Sequence, residues 1–533
     1  MTTSSVQGEA TFPAAGVSGG VPCLLVHVPK LLEHSPELSW YARVNFVAMG
    51  VLSIAEALAA GGYETRIIHV GVEKLCDPAY SLCADVERSG ARLVGFSLHW
   101  HPQIFDSVDA ARQLKNERED VHVVMGGLTA SYFGAQLLAE YPWIDSVVCG
   151  EGERPMVELA RAVLSDRRDF SAVPNLVWRD AAGAIRDNGI SFLSAGAEMD
   201  RYRFASLERI GHLSTYLRLN WRHPWEAELR PVAELPEPTL YGAAFGRGCL
   251  GTCTWCSGSF APMKRNTGRT KTAWRSAAAV SDTVTRAREL GVERFYFCFD
   301  PDPRAKHALV ELFQHLGRLR PQVKVDFELF DLPSPQTIAA FHEHLDPSST
   351  LIISPETADE KLRRRHRAFS FTNDDLDRAL EDLDTRRMRV ELYFTIGLPG
   401  EDRASILATA RYQRQLREAH LSVFRVATFP LEIEPGAPWY EHPERYGLTL
   451  RRRSLSDFLL AHCAASFSLG YDTDCLQENE ILELHQELFS PGSWRDRERL
   501  ARHWRRRSSD LSYVRDHRGP TAAPRSPSND CDH

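Results

Sequence analysis

The chain reads as an α/β protein: a doubly wound parallel sheet at the N-terminus, a second set of βα units behind it, and a helical C-terminal region. Two observations predict this. From residue 21 to 165, short apolar runs alternate with segments of helical spacing, and repeated βα units of that length make a parallel sheet. From Leu240 the alternation resumes with a longer period, through six further units.

The first 20 residues are small, polar and rich in Gly, Ala and Ser, and are expected to form a disordered lead without a signal peptide. Pro22 to Val28 is an apolar run suited to a buried parallel strand. Phe46 to Ala60 has helical spacing and stops at Gly61-Gly62. Tyr63 to Val70, Ala91 to Leu98, Val121 to Met125 and Ile144 to Cys149 read as strands. Tyr80 to Ser89, Ile104 to Glu117, Tyr132 to Tyr141 and Arg154 to Leu164 read as helices. Residues 166–237 read as a connector, with a small hairpin near Pro174 to Ile190 and several aromatic residues, Tyr216, Trp221 and Trp225 among them, assigned to interdomain packing. Strands are then expected at Leu240 to Gly246, Arg294 to Phe299, Val323 to Phe330, Thr350 to Ser354, Val390 to Ile396 and Val423 to Phe429, with helices between them. Residues 441–515 read as helical, best at Asp457 to Ser468 and Glu478 to Phe489, and residues 516–533 as a disordered tail.

Composition narrows the function classes. The 533 residues are 43% hydrophobic and 25% charged, ordinary for a globular protein long enough for several domains. The net charge of −8 points to neither nucleic acid nor an anionic membrane. The basic runs Arg363 to Arg367, Arg451 to Arg453 and Arg505 to Arg507 are expected on solvated helix faces. No apolar stretch has the roughly 18 residues of a membrane span. Eleven cysteines, an odd number, do not suggest a disulfide framework, so a reducing, cytoplasmic compartment is expected. Cys23, Cys76, Cys83 and Cys149 read as core thiols.

The chemistry concentrates in Gly246-Arg247-Gly248-Cys249-Leu250-Gly251-Thr252-Cys253-Thr254-Trp255-Cys256, a loop after the first strand of the second set. Such a loop can turn three thiolates toward one point. Structural zinc takes four ligands in closely spaced pairs, and no second pair lies near. An iron–sulfur cubane held by three thiolates keeps one iron open. The flanking glycines let the backbone wrap closely and donate N–H groups to the sulfurs.

This phrase resembles the cluster loop of the radical S-adenosylmethionine (SAM) superfamily, and the resemblance extends over roughly residues 238–440. It implies a partial (β/α)6 barrel, with Cys249, Cys253 and Cys256 holding a [4Fe–4S] cluster and SAM chelating the open iron. Asp300 and Asp302 follow the second strand, where relatives bind the SAM amino group. Glu356-Thr357 resembles the GIES phrase after the fourth strand, although Ser354-Pro355 stands where Gly-Ile is usual. Ile396-Gly397-Leu398-Pro399-Gly400-Glu401 resembles the GLPGE turn, with Gly397 and Gly400 near the adenosine. Glu434-Pro435-Gly436-Ala437-Pro438 resembles the PGTP turn after the sixth strand.

The first domain carries a second resemblance. Ser97-Leu98-His99 and Gly126-Gly127 end successive strands, as in the SxL…GG pattern of cobalamin-binding domains, and Gly150-Glu151-Gly152-Glu153 resembles the GEGE turn of cobalamin-dependent radical SAM enzymes. Ser97, His99, Gly126, Gly127, Thr129, Gly150 and Glu151 are therefore expected to contact cobalamin. The DxHxxG segment that supplies a cobalt ligand elsewhere is missing, which leaves His99 and His101 as candidates for that role.

Together the two resemblances imply a cobalamin-dependent radical SAM enzyme of the methyltransferase type. A 5′-deoxyadenosyl radical would take a hydrogen from an unactivated carbon, which would then accept a methyl group carried from SAM by cobalamin. The substrate is expected to be a small molecule or peptide, and the electron donor a low-potential protein such as flavodoxin or ferredoxin. The alternatives are a cyclisation or ring contraction by the same cofactors, and a non-catalytic metal-binding protein.

Overall fold

The computed structural model describes residues 22–32, 41–43, 45–167, 169–219, 239–298, 306–463 and 468–489. The lead at 1–20, the tail at 516–533, Asp300, Asp302, Trp221, Trp225 and Arg505 to Arg507 lie outside the described residues.

The first sheet contains β1 (Cys23–His27), β2 (Thr65–His69), β3 (Leu93–Ser97), β4 (His122–Gly126) and β5 (Ser146–Val148), followed by β6 (Leu176–Arg179) and β7 (Ile185–Asp187). Its order is β2-β1-β3-β4-β5-β6-β7, with the first five parallel and the last two antiparallel. Every residue of β1 and β3 is buried, as central strands covered by helices on both faces must be. The hairpin expected in the connector is thus an extension of this sheet. Helix Met49–Ala60 ends at Gly61, and Gly62 takes the positive φ of +86° that turns the chain into β2.

The second sheet is parallel and follows sequence order: β8 (Leu240–Gly242), β9 (Arg294–Cys298), β10 (Lys324–Leu329), β11 (Thr350–Glu356), β12 (Arg389–Ile396) and β13 (Val423–Pro430). Among the described residues no pairing joins β13 back to β8, so the barrel is partial, as expected. Period-two alternation sorts its residues. Phe295, Phe297, Val325, Phe327, Val390 and Leu392 are buried in the core. On the opposite face Arg294 pairs with Asp326 at 2.5 Å, and the Tyr296 hydroxyl donates to Glu328 at 2.5 Å. Pro355 interrupts β11. It has no N–H for the ladder, the register slips between Ile353 and Glu356, and Glu356 takes a φ of +65°.

The C-terminal region is not wholly helical: β14 (Leu448–Leu450) pairs antiparallel with β15 (Tyr471–Thr473). Helix Leu455–Cys463 packs on helix Ile104–Glu117, and helix Glu478–Phe489 lies along β13. There the His485 Nε2 bonds the Thr428 carbonyl at 2.8 Å and occupies part of the open strand edge. Two apolar cores result. One runs from Leu25, Val124 and Met156 of the first domain into Phe295, Phe327 and Leu392 of the barrel. The other joins Val26, Phe96 and Phe133 to Phe458, Tyr471 and Leu484.

Candidate cofactor site

The cluster loop is pinned at both ends. Gly246 and Arg247 pair with Trp274 and Ala273 in a short antiparallel ribbon. Further on, Thr254 N donates to the His366 carbonyl at 2.9 Å, and Trp439 N donates to the Thr254 carbonyl at 3.0 Å. Each cysteine sulfur accepts one backbone N–H: Cys249 from Gly251 at 3.2 Å, Cys256 from Gly258 at 3.3 Å, and Cys253 from Ala368 at 3.3 Å. Burial first, then Glu434 and the neighbouring thiols, hold the Cys256 thiol well above its ordinary range, and burial raises Cys253 as well. Half-buried thiols with N–H donors already aimed at sulfur fit a metal cluster, whose positive charge replaces the protons on binding. Three such ligands leave one corner for an outside ligand.

A cavity of about 1210 Å³ separates this loop from the carboxyl ends of β3, β4 and β5, and Cys249 and Cys256 line it. Drug-sized ligands fill roughly 300–1,000 Å³, so the space suits a macrocycle. Ser97, His99, Gly126, Gly127, Gly150 and Glu151 line the opposite wall, at the carboxyl edge where open α/β sheets bind ligands. Gly126 is informative. A Cβ there would meet nothing nearer than the Val148 carbonyl at 3.7 Å, so the fold does not require glycine; the missing side chain enlarges the cavity. Gly127 is required by the backbone, with a φ of +112° and a Cβ that would fall 2.7 Å from His99 Cα. Thr129 is absent from the lining. Its Oγ1 and N donate to the His99 carbonyl at 3.1 and 3.2 Å and hold the turn. Burial pulls the His99 imidazole down to about 4, so it is neutral at physiological pH. His101, the other candidate cobalt ligand, bonds His462 instead.

Glu151 does more than line the cavity. Its carboxylate accepts from Arg247 Nη1 at 3.0 Å, Arg269 Nε at 2.8 Å and Ser194 N at 2.9 Å. Glu153 accepts from Arg247 and, at 2.5 Å, from Ser53 Oγ. Burial opposes ionisation of Glu151, but Arg247 and Arg269 outweigh it and hold the carboxyl below its usual range. The turn that resembles GEGE is therefore bolted to the arginine that opens the cluster phrase. Both motifs were legible in the sequence; only their opposite charges hinted at the pairing.

Several expected residues lie elsewhere. Glu356 does not line the cavity. It is buried against Arg367 at 3.0 Å, because the slip at Pro355 turns it inward. Thr357 bonds Thr409 at 3.2 Å. Gly397 and Gly400 have φ of +102° and +91° and pack against Tyr471 and Leu362. The basic run at Arg363 to Arg367 is only in part a solvated face: Arg364 and Arg365 are exposed, whereas Arg363 and Arg367 are buried. Arg363 is wholly buried, its guanidinium donating to the carbonyls of Pro355 and Phe371 at 2.8 Å, and Arg452 is buried in the second run. Cys76 is exposed, whereas Cys23 and Cys83 are buried as expected. The sequence placed Glu434 in the turn after the sixth strand without a role; its carboxylate accepts from Ser257 N at 2.6 Å beside Cys256. Cys298, which lines the cavity, was passed over.

Comparison with known proteins agrees with this fold. Residues 42–160 match the B12 binding domain and residues 244–412 the Radical SAM superfamily. The chain is therefore a B12-binding domain joined to a radical SAM domain, the pairing that takes cobalamin together with a [4Fe–4S] cluster and SAM. Its fold is that of the radical SAM methyltransferase TsrM from Kitasatospora setae, solved with cobalamin and a [4Fe–4S] cluster: TM-score 0.56 at 16% identity, covering 81% of this chain and 77% of that one. Among curated proteins it is 30% identical over 156 residues to the anaerobic magnesium-protoporphyrin IX monomethyl ester cyclase of Rubrivivax gelatinosus, covering 29% of this chain and 25% of the cyclase. It is 24% identical over 227 residues to the hopanoid C-3 methylase of Methylococcus capsulatus, covering 42% of this chain and 38% of the methylase. The matches thus span less than half of either relative. Among the described residues no helix is long and apolar enough to cross a membrane.

Proposed function

We propose that the protein is a methyltransferase that moves a methyl group from SAM, by way of cobalamin, to an unactivated carbon of a small-molecule or peptide biosynthetic intermediate. The observation that carries this reading is one shared cavity, lined on one wall by Ser97, Gly126 and Gly150 and on the other by Cys249 and Cys256. One chamber can thus present both cofactors to one substrate. When bound, the cluster supplies the electron that splits SAM, and cobalamin carries the methyl group. The chain's own part is positional. Gly126 leaves room for the corrinoid, Arg247 fixes the cluster loop to the Glu151 turn, and helix Glu478–Phe489 closes the edge of β13. The electron donor in this reading is a low-potential protein such as flavodoxin or ferredoxin, and the compartment a reducing one.

The test is to incubate anaerobically purified, reduced protein with methyl-labelled SAM. Label entering the corrinoid fraction, with 5′-deoxyadenosine released, supports methyl transfer. The resemblance to a cyclase favours a second reading, a cyclisation or other rearrangement by the same cofactors. Release of 5′-deoxyadenosine with no label in corrinoid or product would select that reading over the first.

A further inference from the structure

At the rim of the cavity, three side chains from distant parts of the chain converge. His101 lies in the single turn His101–Gln103 after β3, Glu432 just past the end of β13, and His462 in the last turn of helix Leu455–Cys463. One ligand atom from each lies within 4.8 Å of the other two. His101 Nδ1 is 2.9 Å from His462 Nε2, with ring centroids 5.0 Å apart. Both histidines are buried, and His101 and Glu432 line the cavity.

From this geometry we propose that His101, Glu432 and His462 form a binding site for a borderline divalent cation, of which Zn²⁺ is the type, separate from the cluster and from cobalamin. Two imidazoles and one carboxylate suit that class, whereas Mg²⁺ and Ca²⁺ prefer all-oxygen sites. Tetrahedral zinc with Zn–N of about 2.0–2.1 Å sets ligand atoms roughly 3.3 Å apart. The two imidazoles need to part by only a few tenths of an ångström to admit it.

The surroundings already fix all three groups. His101 packs edge-on against Phe458, one turn before His462 on the same helix, at 5.3 Å. The His462 carbonyl accepts from Lys30, whose ammonium also faces Asp106 at 3.4 Å. Arg452 stands 3.6 Å from the Glu432 carboxylate, the kind of outer partner that orients a ligating oxygen. Each of these two cations thus faces a carboxylate. Three protein ligands leave a fourth position for water. A bound ion would tie the first domain, the barrel and the C-terminal helix together at one point, and it would commit His101 to this ion and away from cobalt.

The test uses the full chain with Cys249, Cys253 and Cys256 all changed to Ala, which removes the iron of the cluster. Titration of the metal-free protein with Co²⁺ is expected to give one equivalent bound, with the intense visible bands of four-coordinate cobalt(II), and displacement by Zn²⁺. His462→Asn and Glu432→Gln in the same background should weaken binding by more than the about 10–100-fold that loss of an outer-shell partner costs. Thermal melting supplies a second readout: Zn²⁺ should raise the melting temperature of the parent and leave that of His462→Asn unchanged. Absence of stoichiometric Co²⁺ uptake by the parent, or uptake and Zn²⁺ stabilisation that survive both substitutions, would overturn the proposal.

Discussion

Arg247 Nη1 lies 3.0 Å from Glu151 Oε2. That contact joins the residue two before the first cluster cysteine to the turn that follows β5, so the two loops share one ion pair, its carboxylate buried and its guanidinium largely so. Glu153 and Arg269 extend it. Removing one partner of a buried pair strands the others, at a cost of about 3–5 kcal/mol. Arg247→Met should therefore lower stability by that amount and reduce iron and cobalt content together. Calorimetry and metal analysis of the variant check this, and an unchanged melting temperature would refute it.

Adjacent glycines should respond differently. Gly126→Leu directs its side chain into the cavity without meeting backbone nearer than 3.7 Å at Cβ. Cobalt content should fall at least about tenfold while iron and the melting temperature hold, since the fold does not depend on this position. Gly127→Ala meets His99 at 2.7 Å with φ at +112° and should cost about 1–3 kcal/mol in stability. Equal effects on cobalt and on melting from both substitutions would contradict the assignment of Gly126 to the cofactor cradle.

Changing Cys249, Cys253 and Cys256 to Ala should abolish iron binding and leave cobalt at one per chain. Gly126 ends β4 and Gly150 follows β5 of the first sheet, whereas the cysteines lie in the loop after β8. Elemental analysis of anaerobically purified protein reads both metals at once. Loss of cobalt along with iron would mean that the loop itself holds the corrinoid.

Glu401 gives a pH signature. Burial pushes its carboxyl from 4.5 up to about 7, although Gly397 N and Leu398 N both donate to it at 2.9 Å. The folded chain then holds a proton that the unfolded chain has lost between pH 4.5 and 7, so stability falls as pH rises through that window, by about 3 kcal/mol in all. Glu391 is raised to about 7 as well and adds to the slope. His99, His122 and His366 are drawn down to about 4 by burial and act in the opposite sense below pH 6.5. The Glu401→Gln variant isolates the Glu401 share. Its stability relative to wild type should climb between pH 5 and 8, and a flat difference would remove the assignment.

The strands and helices were legible because they are local. Ile104–Glu117, Pro335–His344, Arg403–Ala419 and Glu478–Phe489 carry their periodicity and their stops within themselves. The cluster loop was legible for the same reason, with all three thiols inside eight residues of chain, Cys249 to Cys256. Partners distant in sequence were not legible. Nothing near Arg363 announces that its guanidinium fills a hole bounded by Pro355 and Phe371, because a buried arginine and a solvated one look alike in a row of basic residues. Glu356 misled for a related reason: one proline shifts the register and turns a carboxylate from cavity to core. The β6–β7 hairpin was visible as a hairpin, but its pairing with β5 depends on contacts across about 30 residues of chain.

The second apolar core has a bearing on how the protein is made. Val26 and Phe96 belong to strands that leave the ribosome early, yet that core is completed by Phe458, Tyr471 and Leu484 near the end of the chain. The Phe133 and Phe458 rings, 6.0 Å apart, meet across this gap in time. Until the last segment emerges, the first sheet carries an uncovered oily face, the condition under which nascent domains aggregate and recruit chaperones. The cavity therefore acquires the part of its wall formed by His485 and Phe489 only once helix Glu478–Phe489 has emerged. A chain truncated after the barrel should therefore be insoluble rather than a smaller folded protein.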